Sequence, residues 1–103
     1  MQKLNQIISD ILLLNFNLVL FSESGMPKGS ETMVHNFIYD KLKNEPPETF
    51  ETIFMMHDNN SEVFDPCAFI GSLVAMELER LFPRMVCEVT IIFNGESFSF
   101  THD

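Results

Sequence analysis

The chain has 103 residues, 46 % of them hydrophobic and 20 % charged, with eleven Phe, seven Met and a net charge of −9. A chain of this size buries roughly 65 % of its unfolded surface, and its aromatic content excludes the polar composition of disordered segments. Its acidity argues against direct binding of nucleic acid or anionic lipid and in favour of basic protein surfaces.

The charge is unevenly placed. Up to Asn44 the acids Asp10, Glu23, Glu31 and Asp40 balance Lys3, Lys28, Lys41 and Lys43, whereas from Glu45 onward eleven acids face only Arg80 and Arg84. The two cysteines, Cys67 and Cys87, lack any disulfide-rich spacing, so free thiols in a reducing, cytoplasmic setting are expected. Residues 1–14 are broken by Asp10 and followed by no small-residue cleavage site, which does not fit a signal peptide; no apolar run reaches the roughly 20 residues of a membrane span.

In chain order, Leu4, Ile7, Ile8, Ile11 and Leu12 recur at steps of three and four, predicting an amphipathic helix over residues 2–14. Phe16–Phe21 has consecutive apolar residues and reads as a strand with little solvent on either face. Turn formers fill Ser22–Gly29, with Ser30 at the expected N-cap of a helix over Glu31–Lys43 that Pro46 and Pro47 stop. Phe50–Met56 is short and β-prone and predicts a second strand, followed by a polar loop from His57 to Asp65. Asp65-Pro66 predicts a helix start, Asp accepting backbone donors and Pro losing none, for a helix running to about Phe82. Its first half is apolar nearly all round, and Gly71, Ser72 and Ala75 would admit a second backbone, inside the domain or across a homodimer through this apolar helix face.

Asn94-Gly95 between two β-patterned runs predicts a two-residue hairpin. Counting outward pairs Phe93 with Glu96 and Cys87 with His102, placing Val89, Ile91, Phe98 and Phe100 on a core face and Glu88, Thr90, Ser97, Ser99 and Thr101 on a wet one. The expectation is one domain over residues 1–103, α+β or α/β, in the order α-β-α-β-α-β-β. Strand-helix-strand units favour right-handed parallel crossovers, giving a mixed four-stranded sheet that ends in the antiparallel hairpin, with helices packed on it.

Chemical motifs are sparse. Gly25–Thr32 lies where a phosphate loop would, but Lys28 precedes Gly29 and Pro27 removes a donor. Asp58, Asn60 and Glu62 resemble the start of a calcium loop, yet Val63 stands at the turning glycine and Phe69 at the bidentate Glu. Cys67, at a helix start, is the one nucleophile with a physical argument, with His57 a candidate neighbour; apolar residues after it favour a buried structural thiol. His35, His57 and His102 fit no zinc spacing, so no metal or cofactor is expected. The remaining feature is the acidic set Glu45, Glu48, Glu51, Asp58, Glu62, Glu77 and Glu79. It suits a non-catalytic protein-binding module that inhibits or neutralises a basic, nucleic-acid-binding type of partner, in the manner of toxin-immunity proteins or phage inhibitors. The alternative is a small-ligand module or minor enzyme with a Phe- and Met-lined pocket near Cys67.

Overall fold

The computed structural model describes residues 2–58 and 64–103. Helix α1 (Gln2–Leu14) buries Leu4, Ile8 and Ile11, the stripe its periodicity predicts. It ends where Asn15 turns left-handed at φ 63° and its N–H returns to the Ile11 carbonyl at 2.8 Å, a helix stop that Asn tolerates better than most residues. Strand β1 (Asn17–Phe21) follows, and then α2 (Ser30–Asn44), which buries Val34, Ile38 and Leu42. Gly29, left-handed at φ 84°, holds the N-cap expected of Ser30; Ser30 is instead the first helical residue, its hydroxyl donating to the Pro27 carbonyl at 2.6 Å.

The predicted strand at Phe50–Met56 is helical. A 3₁₀ turn over Pro47–Phe50 runs into α3 (Glu51–His57). Phe50 and Phe54 are buried and Ile53 partly so, while Met55 and Met56 stand exposed, a helical spacing that competes with β propensity in so short a window. With that strand gone, the parallel crossovers go too. Helix α4 (Pro66–Leu81) begins as predicted, the Asp65 carboxylate accepting from the backbone N–H of Cys67 at 3.0 Å and Ala68 at 3.4 Å. Strands β2 (Cys87–Phe93) and β3 (Glu96–His102) complete a three-stranded sheet in the order β1-β2-β3, antiparallel throughout, rather than a mixed four-stranded one. The architecture is a small α+β domain.

The β2–β3 register is the one counted outward from the turn, and Asn94 and Gly95 both take positive φ, 51° and 82°, as a type I′ turn requires. Val89 and Ile91 are buried; Phe98 and Phe100 on the edge strand are half-buried. Helix α4 packs on β2 and β3, and α2 packs on β1 and α4, so helices cover one face of the sheet. The other face is open, which corrects the reading of β1 as enclosed: Leu20 is buried but Val19 and Phe21 are about half exposed. At Gly71 α4 passes close beneath rings of the edge strand: a Cβ there would lie 3.1 Å from the ring of Phe100 and 3.4 Å from that of Phe98.

The assigned faces generate a test by equilibrium denaturation. Ile91→Asp is expected to lose at least about 3 kcal/mol by burying an unpaired carboxylate. Thr90→Asp, on the wet face, is expected to lose about 1 kcal/mol, chiefly the Thr90–Ser99 hydroxyl contact of 3.0 Å. Equal losses would contradict the faces.

Candidate functional site

The acidic set is dispersed by the fold into four situations. Glu45 caps the end of α2, Glu48 lies in the 3₁₀ turn and Glu51 opens α3, so three exposed carboxylates follow one another at three-residue steps along one ridge of chain. Pro46 in extended backbone and Pro47 at the first position of the turn fix this path. Glu48 and Glu51 sit in first turns, where the backbone donors favour negative charge, and Lys41 and Lys43 occupy the last turn of α2 by the converse rule. None of the three carboxylates has a cation within ion-pairing distance among the described residues.

The other members are differently placed. Asp58 ends α3, about 10 Å along the helix from Glu51 by helical rise, and is held by Lys3 Nζ at 2.6 Å. Glu77 is 5 % exposed and ion-paired with Arg80, whose Nε donates at 2.9 Å; it presents no free carboxylate to a partner. Glu79 meets His102 at 3.2 Å beside the end of β3. Glu62 lies outside the described residues, as does Asn60 of the calcium-like spacing, and the one described member of that spacing, Asp58, is engaged by Lys3.

Sequence reasoning missed two residues on the ridge. Met55 and Met56, assigned to a strand, are 56 % and 73 % exposed on α3, and Met55 lies one helical turn from Glu51. Flexible thioether side chains beside carboxylates form a surface able to repack around varied apolar groups while charge draws in cations. The sole sequence signal was the helical spacing of Phe50, Ile53 and Phe54, which leaves both methionines on the outer face.

One crevice with apolar walls is formed away from Cys67. It lies between α2, α3 and α4, with a volume of about 170 Å³, walled by Phe37, Phe50, Ile53 and Met76, with Lys41 and Arg80 stacked over the Phe37 ring at 5.8 and 5.1 Å. Cys67 is buried, its thiol 3.8 Å from the Glu96 carbonyl and 4.0 Å from that of Phe93. His57 serves a different group: its Nε2 is 2.7 Å from the Ser72 hydroxyl. That pair has the spacing of a nucleophile and a base, but Ser72 is in the interior of α4, where backbone N–H groups are committed to the helix and offer no oxyanion donors.

Burial pushes the Cys67 thiol up from its ordinary value of 9.0, and the Asp65 carboxylate adds to the rise; burial does the same for Cys87. Both thiols are therefore neutral at neutral pH. Because the folded values lie above the unfolded ones, their contribution to stability is full below about pH 9 and is lost as pH rises through the folded values. Alkylation of Cys67 by iodoacetamide at neutral pH is expected to be at least about 100-fold slower in the folded chain than in denaturant. Comparable rates would restore Cys67 as a candidate nucleophile.

No protein-family model, curated protein or solved structure matches this chain.

Proposed function

We propose that this chain is a small acidic, non-catalytic protein-binding module that occupies a basic surface of a partner, of the kind that also receives nucleic acid, and so inhibits or neutralises it, as toxin-immunity proteins and phage inhibitors do. The observation that carries this reading is the ridge of Glu45, Glu48 and Glu51, exposed and unpaired among the described residues, beside the exposed Met55 and Met56. The whole excess of negative charge arises from residue 45 onward, so the field and the ridge belong to the same part of the chain. In this reading the carboxylates steer encounter and orient the partner, and the methionines supply apolar contact once it has arrived. Asp58 and Glu79 contribute less, since each already has a cationic or hydrogen-bonding neighbour.

A second reading, a small-ligand module, draws on the crevice at Phe37, whose size suits about one aromatic ring. The two readings diverge on a single experiment: capture of the partner from the native cell, then titration of the purified pair at rising salt. Neutralising Glu45, Glu48 and Glu51 to Gln together is expected to weaken binding about tenfold or more at low salt, chiefly through slower association. Neutralising Asp10, Glu23 and Asp40 to Asn, Gln and Asn should change it by about twofold or less. Affinity indifferent to salt and to the ridge substitutions would contradict the electrostatic reading.

A further inference from the structure

The two edges of the sheet are treated differently. At the β1 edge the Leu20 N–H is taken by the Glu31 carboxylate at 2.8 Å, so a group that could pair with another strand is occupied. At the β3 edge the register with β2 is continuous from Glu96 to His102, with no bulge, no Pro and no Lys to blunt it. A two-residue turn makes Phe93 and Glu96 exchange both of their backbone hydrogen bonds, and the antiparallel alternation then turns Phe98, Phe100 and His102 inward to β2. Ser97, Ser99 and Thr101 therefore aim their N–H and C=O groups outward. All three are exposed, and none has a backbone partner on that side among the described residues.

We infer that this edge pairs with a second copy of the same chain, β3 against β3, antiparallel about a dyad at Ser99. The register is selected by the backbone: outward residues must meet outward residues, and only pairing centred on Ser99 engages all three, Ser99 with Ser99 and Ser97 with Thr101 of the second copy. The side chains agree with it. Phe98 of one copy falls opposite Phe100 of the other on the core face, joining two Phe98–Phe100 contacts of 5.7 Å into one four-ring cluster. Beneath those rings lies a shallow apolar depression of about 270 Å³ formed with Ala68, Gly71 and Ala75, which the second copy would close. At both ends Glu96 meets His102 of the other copy, so a carboxylate faces an imidazole that can donate to it. The product is a six-stranded antiparallel sheet with all helices on one face.

This inference is independent of the proposed function and has the opposite salt dependence. Each copy carries −9, so screening favours self-association, whereas it weakens binding to a basic partner. Sedimentation equilibrium of the wild-type chain, from about 1 µM to about 1 mM in about 1 M salt, is expected to reach twice the chain mass of 11.9 kDa. Ser99→Lys sets two like charges across the dyad and is expected to weaken self-association at least about tenfold, although it lowers the net negative charge. Thr90→Lys makes the same charge change on the central strand and should leave self-association intact. Circular dichroism confirms that each variant is folded, and amide exchange on the wild-type chain supplies a readout needing no variant: the amides of Ser97, Ser99 and Thr101 should gain protection with concentration. A wild-type chain that stays at 11.9 kDa throughout overturns the inference, as does a dimer indifferent to Ser99→Lys or without protection at those amides.

Discussion

The fold depends on how closely α4 can lie against the sheet. That helix is apolar round most of its girth, burying Phe69, Ile70, Leu73, Val74 and Leu78, and it meets β2 and β3 on one side and α2 and α3 on the other. At Gly71 the helix carries no side chain, which leaves room beneath Phe98 and Phe100 that a Cβ would crowd. The cost of Gly in a helix interior, about 1 kcal/mol relative to Ala, is offset by the packing that close approach allows. The same approach holds Phe98 and Phe100 over the helix while leaving them half-buried at the sheet edge.

How much of this was legible in the sequence varied with how local the determinant was. Asn94-Gly95 set the hairpin register by turn chemistry alone, and Asp65-Pro66 set the start of α4 by backbone donors two and three residues away. Residues 50–56 were illegible because Thr52, Ile53 and the Phe residues favour a strand locally, while the burial of Phe50, Ile53 and Phe54 against other elements selects a helix. Strand β1 misled for a related reason: a run of apolar residues does not reveal that helices cover one face of the sheet.

The acidic set shows the same division. Its composition and its position in the second half of the chain were readable, but the state of each carboxylate was not. Glu77 is buried by tertiary packing while pairing with Arg80 one turn along its own helix, Asp58 is bridged by Lys3 across 55 residues of sequence, and Glu79 faces His102 on β3. The carboxylates left exposed and unpaired on the ridge, Glu45, Glu48 and Glu51, flank the two prolines of the turn between α2 and α3. Burial and pairing thus leave part of the formal charge free to act outward, and the share on the ridge lies beside exposed methionines.

The close approach at Gly71 is tested most directly by the stability of Gly71→Val. Helix propensity alone would raise stability by a few tenths of a kcal/mol, since Val is the better helix former. Packing acts the other way, because a Cβ would stand 3.1 Å from the Phe100 ring and the γ-methyls would press further toward it. Equilibrium denaturation is expected to show a net loss of about 1–3 kcal/mol from over-packing. A variant as stable as the wild-type chain, or more so, would contradict the packing of α4 on the sheet from which the rest of the structure follows.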